Sequence, residues 1–156
     1  MAESGTLTAG QSDLAPPKLS RKELEDRLRA DFPEVFNDTT GVHIEDLWFG
    51  GCRVRQRYDP RSMRPGATIS GPTMMALADY AMYFAVLSAI GWVPLAVTTN
   101  LTINFLSKPA ASDLLAEARL LKIGKRLAVG EVGIRSDGGG DLVAHVTSTY
   151  SIPPRS

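Results

Sequence analysis

The 156-residue chain is predicted to be an α+β protein, an antiparallel β-sheet packed around one long central α-helix. Three observations carry this prediction. The stretch SGPTMMALADYAMYFAVLSAIG, Ser70 to Gly91, is apolar on every side, so the helix it forms must be buried rather than laid on a surface. Directly after it the apolar period changes from helical to two, the spacing of a strand. The strands that follow are separated by short glycine-containing turns, which join antiparallel neighbours.

Each element has local signals. Residues 1–19 are rich in Ser, Gly, Thr, Ala and Pro and read as a disordered tail. Residues 20–156 read as a single domain. Ser20 and Glu23 form the S-x-x-E capping box, in which each side chain caps the other's backbone N–H. A short helix follows, with Leu24 and Leu28 on one face, ending near Phe32-Pro33. Gly41–Tyr58 reads as one strand or two, bent at Gly50-Gly51. The prolines and glycine of DPRSMRPGAT, residues 59–68, mark a loop.

The central helix has its own start and stop. Ser70 or Gly71 can cap it, and Pro72 suits a first turn where a missing N–H costs nothing. Gly91 suits the C-terminal turn, and Pro94 bars continuation. In AVTTNLTINFLS, residues 96–107, Val97, Thr99, Leu101, Ile103 and Phe105 fall on one face. Thr98, Asn100, Thr102 and Asn104 fall on the other. Residues 113–123 and 126–136 are strands around a turn at Gly124-Lys125. SDGGGD, residues 136–141, is a second turn, its glycines supplying positive φ, and residues 142–152 form the last strand. With short turns throughout, these four strands are expected to run as a meander. One helix cannot cover a wide sheet and still bury its own outer faces, so a dimer or larger homo-oligomer is expected.

Composition excludes several classes. Seventeen basic and seventeen acidic side chains balance, so no net field favours nucleic acid or an anionic membrane. The single cysteine, Cys52, cannot form an internal disulfide. No Cys/His cluster suggests a metal site, and no metal or redox cofactor is expected. The longest apolar run, Ala81 to Gly91 broken by Ser88, is shorter than a bilayer span. The opening MAESGTLTAG is polar, without the basic and apolar regions of a secretion signal. A cytoplasmic protein is the expectation.

Asp79 is the residue that asks for an explanation. It is the sole acid between Asp59 and Asp113 and lies among Met75, Ala76, Met82 and Tyr83 on an apolar helix. Burying an unpartnered carboxylate costs several kcal/mol or forces its protonation. One reading makes it a general base or nucleophile. The other makes it a loop cap, or the partner of an arginine such as Arg64. Gly71 sits where helix N–H groups lack partners and the dipole is positive, so it can hold an oxyanion or serve only as a cap. Eight residues of helix span about 12 Å. Gly71 and Asp79 of one chain therefore cannot both touch one reacting centre. Across a two-fold axis, Gly71 of one subunit can meet Asp79 of the other.

SGPTMMALAD, AVTTNLTINFLSKPA and LLKIGKRLAVGEVGIRSDGGGDLVAHVTSTY, in this order and spacing, resemble the hotdog-fold acyl-CoA thioesterases, in particular their PaaI-like branch. The resemblance covers residues 42–152. It implies the hotdog fold, a homodimer or dimer of dimers, and hydrolysis of an acyl-CoA thioester to free acid and coenzyme A. It gives Asp79 the role of base or nucleophile, Gly71 that of a backbone donor to the thioester carbonyl, and Thr98 that of an assisting hydroxyl. Arg64, Ser70 and Pro72 would border the substrate. Ser70 stands where the family carries histidine, Pro72 where it carries a second glycine, and Arg64 near the place of an upstream Asn, Gln or His. Lys122, Lys125 and Arg126 would meet the nucleotide phosphates, or form a solvated basic turn.

Two other functions fit the same fold. One is a protein that binds acyl-CoA or a similar ligand without turning it over. The other is an enoyl-CoA hydratase or dehydratase, which needs a histidine beside an acid. His43 and His145 lie far from the helix start in sequence and read as surface or core-edge residues. Cys52 reads as a packed thiol rather than a nucleophile. Met74, Met75 and Met82 read as core or as an acyl-tunnel lining.

Overall fold

The structure is a computed structural model that describes residues 15–154. Two helices, α1 (Arg21–Asp31) and α2 (Gly71–Ile90), accompany eight strands. These are β1 (Val42–Trp48), β2 (Gly51–Gln56), β3 (Met63–Arg64), β4 (Thr68–Ile69), β5 (Val97–Phe105), β6 (Leu114–Ile123), β7 (Leu127–Ser136) and β8 (Ala144–Ser151). Six of them form one sheet in the order β1-β2-β6-β7-β8-β5, antiparallel throughout. The sheet wraps α2, which lies chiefly against β2, β6 and β7. This is the hotdog arrangement.

One half of the capping box is seen: Ser20 Oγ accepts the Glu23 N–H at 3.1 Å. Leu24 and Leu28 are fully buried. The anticipated tail falls largely on residues 1–14, which lie outside the described residues. By Lys18 the chain is already tied down, its N–H donating to the Ser88 carbonyl at 2.7 Å. Leu19 packs on the core.

Small side chains let α2 sit close to the sheet. Ala116, Ala118, Ala128 and Ala144 face it with no exposed surface, against Ala78, Ala81 and Ala85 of the helix. At Gly130 even a methyl is too much, because a Cβ there would stand 2.8 Å from Met82 Sδ. Apolar length alone would let the 20-residue α2 cross a bilayer, but most of it is buried inside the fold. The apolar helix extends well beyond the Ala81–Gly91 run. What decides its environment is the sheet around it.

Three expectations are corrected. The last four strands are not a simple meander: β5 pairs with β8 at the sheet edge rather than with β6. The face assignment along β5 is broken by a bulge at Thr99, where Thr98 pairs with Tyr150 but Asn100 with Thr149. A bulge inserts one residue and reverses the parity of side chains across it. Thr98 consequently faces α2 with Leu101, Ile103 and Phe105, and Val97 points outward, 56% exposed. The loop after β2 is not featureless. It holds a 3-10 turn at Pro60–Ser62 and the small β3–β4 hairpin.

Candidate active site

Helix α2 starts and stops where its sequence provides. Ser70 takes the extended N-cap conformation, and Pro72 lies in the first turn. Gly91 closes the helix with φ +87°, its N–H donating to the Leu87 carbonyl. Ser70 Oγ does not cap the helix but lies 2.8 Å from Thr73 Oγ1. From Phe84 to Ile90 every residue of α2 is buried. Before that stretch Met75, Ala76, Asp79, Tyr80 and Tyr83 are partly uncovered, and these positions share one helical face.

Among the described residues of one chain, Asp79 neither caps a loop nor pairs with an arginine. Its Oδ1 accepts two hydroxyls, Thr98 at 2.6 Å and Tyr150 at 2.9 Å. No described group donates to Oδ2, yet Oδ2 is not a buried unsatisfied atom. It therefore opens onto the adjoining space. That space is a cavity of about 360 Å³ lined by Asp79, Thr98, Tyr150, Tyr80, Tyr83, Trp92 and Phe32, among others. Burial pushes the Tyr150 phenol well above its ordinary range, and the Asp79 charge pushes it the same way. Tyr150 thus stays protonated and remains a donor to the carboxylate. The ring is held in turn by stacking on Tyr83, centroids 6.1 Å apart at 21°.

Gly71 belongs to a second cavity, of about 430 Å³, shared with Arg64, Met74, Phe105 and Lys108. Its N–H has no acceptor among the described residues. A Cβ on Gly71 would stand 3.2 Å from the ring of Phe105, so glycine here permits close approach to the helix start. Within one chain this cavity and the Asp79 cavity share no residue, as helical rise requires.

Arg64 therefore lies with Gly71, and it forms no ion pair among the described residues. Pro72 is exposed on the first turn. Lys122 lines a third and larger hollow, about 700 Å³, on the outer face of the sheet with Glu117, Arg119, Glu131 and His145. Lys125 and Arg126 lie at the β6–β7 turn. None of these three cations reaches either cavity of α2 within the chain. His145 does stand beside an acid, Nε2 3.1 Å from Glu131 Oε2, but on that outer face. His43 is exposed. Cys52 is fully buried, its thiol donating to the Ala81 carbonyl at 3.1 Å, and burial pushes its pKa up. No metal-binding cluster occurs among the described residues.

Sequence reasoning missed Tyr150 and Lys108. Tyr150 carried one usable signal: it continues the inward alternation Ala144, Val146, Ser148. A buried phenol needs a partner for its hydroxyl, and a lone helix acid is an obvious one.

A buried helix bearing one hydroxyl-held carboxylate, wrapped by this sheet, invites comparison with proteins of known family. The model of the thioesterase superfamily matches residues 66–143. The chain belongs to that superfamily. It is 30% identical over 136 residues to a protein of Saccharolobus solfataricus named "Putative esterase", covering 87% of each chain. It is 42% identical to a solved structure from Silicibacter sp. TM1040 described as "a putative thioesterase", with a TM-score of 0.80, covering 88% of this chain and 94% of that one. The PaaI protein of the E. coli phenylacetic acid degradation operon shares the fold at 21% identity and a TM-score of 0.72, covering 84% and 91% of the two chains. The thioesterase-superfamily match spans both Gly71 and Asp79.

Proposed function

We propose that the protein hydrolyses acyl-CoA thioesters at a site shared between two subunits. The observation that carries this reading is the Asp79 carboxylate, with Oδ1 fixed by Thr98 and Tyr150 and Oδ2 open to a cavity. A carboxylate anchored through one oxygen can present the other to a water. In this scheme Oδ2 takes a proton as the water oxygen attacks the thioester carbonyl carbon. The carbonyl oxygen becomes an oxyanion and accepts the Gly71 N–H of the partner subunit. Collapse of the tetrahedral intermediate breaks the carbon–sulfur bond, and the proton on Asp79 goes to the departing thiolate. Direct attack by Oδ2, followed by hydrolysis of the resulting anhydride, uses the same geometry. Loss of one oxyanion donor typically costs about 2.7–4 kcal/mol of transition-state stabilisation.

The shared site is supported by what one chain leaves unfinished. β5 is a nine-residue edge strand. It carries Val97 and Phe105 more than half exposed and is flanked by Leu95 at 78% exposure. A long, unprotected edge strand with exposed apolar side chains calls for a partner. Pairing β5 with its symmetry mate would also cover the open face of α2. It would bring Gly71 of one chain toward Asp79 of the other.

The test is coenzyme A release from a panel of short, medium, long and aryl acyl-CoAs, with Asp79→Asn alongside. Release by the wild type that is lost in the variant is expected. Release at equal rates by both proteins would remove Asp79 from the chemistry. Coenzyme A binding without any release would make the protein a ligand-binding member of its family.

A further inference from the structure

The lining of the Asp79 cavity includes an element outside the sheet, because Phe32 lines it together with Asp79, Thr98, Tyr150, Tyr80 and Tyr83. Ring contacts run in order from Tyr150 to Tyr83 to Phe32, which sets Phe32 one ring further from Asp79 than Tyr83. Asp79 and Tyr83 are one helical turn apart, about 6 Å along the axis. Phe32 is the C-cap of α1 and meets the Tyr83 ring edge-on, centroids 6.3 Å apart at 86°.

Phe32 is held there firmly. Its N–H donates to the Leu28 carbonyl at 2.8 Å, and Leu24 and Leu28 root α1 in the core. The Arg27 guanidinium lies over the Trp92 ring at 5.8 Å, and Trp92 lines the same cavity. The Tyr83 hydroxyl donates to the Pro94 carbonyl at 3.0 Å, which fixes the ring that Phe32 abuts. Tyr83 is therefore tethered through its hydroxyl and Phe32 through its backbone, and neither ring swings aside without breaking their edge-on contact.

Resting on the thioesterase reading of Asp79, we infer that α1 forms the end wall of the acyl pocket and that Phe32 sets the size of acyl group accepted. An acyl chain whose carbonyl reaches Asp79 and which runs along α2 meets Phe32 after about one helical turn. The pocket thus takes a short chain or a single ring. A long fatty acyl chain meets the tethered rings of Phe32 and Tyr83.

The experiment compares kcat/KM for coenzyme A esters from acetyl to palmitoyl, and for benzoyl, in wild type, Phe32→Ala and Phe32→Trp. The two variants act in opposite directions, so a folding defect cannot mimic the expected pattern. Phe32→Ala should raise the ratio of long-chain to short-chain kcat/KM at least tenfold, mainly through KM. Phe32→Trp should lower that ratio. Unchanged ratios in both variants overturn the inference while leaving hydrolysis at Asp79 intact. If the wild type hydrolyses none of the esters, the thioesterase reading fails separately. The wall is then judged by calorimetric binding of acetyl-, octanoyl- and palmitoyl-CoA to the same three proteins. A size limit relaxed by Phe32→Ala supports the wall, and identical profiles overturn it.

Discussion

The Tyr150 hydroxyl donates to Asp79 Oδ1 at 2.9 Å, joining a strand residue to a helix residue 71 positions earlier. Thr98 donates to the same oxygen at 2.6 Å. Together the two hydroxyls orient the carboxylate and leave Oδ2 toward the cavity. Hydrogen bonds to a charged group contribute about 1.5–3 kcal/mol each. Tyr150→Phe and Thr98→Val should therefore each lower kcat by roughly ten- to a hundredfold, since about 1.4 kcal/mol is a factor of ten. The double variant should lose less than the product of the two, because both act on one oxygen. Thr98→Ser should restore most of the rate. Steady-state kinetics on one good ester decides this, and strict additivity would separate the two roles.

Gly71→Pro removes the N–H but also sets a Cβ 3.2 Å from the Phe105 ring, a contact that Gly71→Ala makes while keeping the N–H, so the two variants are compared. Gly71 is the first residue of α2, where proline is well tolerated. Ser70 before it is already extended, with ψ 151°, as a residue preceding proline must be. Gly71→Pro should keep the helix and lower kcat by about 10²–10³ relative to Gly71→Ala. The shared site has a further consequence. Mixing Gly71→Pro with Asp79→Asn should regain about a quarter of wild-type activity after subunit exchange, since half the dimers are mixed and one of their two sites is intact. No recovery, with exchange confirmed by native mass spectrometry, would place both residues in one subunit's site or in none.

Ser88 is a stability test separate from the chemistry. Its buried Oγ accepts the Gly50 N–H at 2.9 Å and donates to the Ala85 carbonyl at 2.6 Å. Ser88→Ala leaves the Gly50 N–H without that acceptor. An orphaned buried donor costs about 1–3 kcal/mol. Urea unfolding should show a lower midpoint with an unchanged m-value.

The outer face of the sheet predicts a pH dependence of stability. Arg119 and His145 both bond Glu131 and hold its carboxyl below the ordinary value of 4.5. A depressed carboxylate pKa stabilises the folded state fully above the unfolded value. That contribution fades as pH falls through 4.5 toward the folded value. Thermal unfolding followed downward through this window should fall less steeply in Glu131→Gln than in the wild type. Parallel curves would mean that other carboxylates carry the acid sensitivity.

Local chemistry determined much of this protein. The Ser20–Glu23 capping box, the Ser70 start and Gly91 stop of α2, the two-residue period of the strands and the isolation of Asp79 all depend on residues close in sequence. The isolation of Asp79 and the helix start at Gly71 mark both as candidates by themselves, and the family resemblance, which rests on the same segments, adds Thr98. Only the tertiary structure decided the rest. Pairing β5 with β8, rather than with β6, brings Tyr150 and Thr98 to the same carboxylate oxygen. The Thr99 bulge turns Thr98 inward against the strict alternation of its strand. Within the chain, Arg64 is placed with Gly71 rather than Asp79, and Phe32 of α1 on the lining of the Asp79 cavity. The physical reason is the range of the forces that set each feature. Caps and periodicity act over a few residues, and sequence displays them directly. Strand order, bulge position and cavity walls come from burying many distant apolar surfaces at once, and no local pattern specifies which distant partner wins.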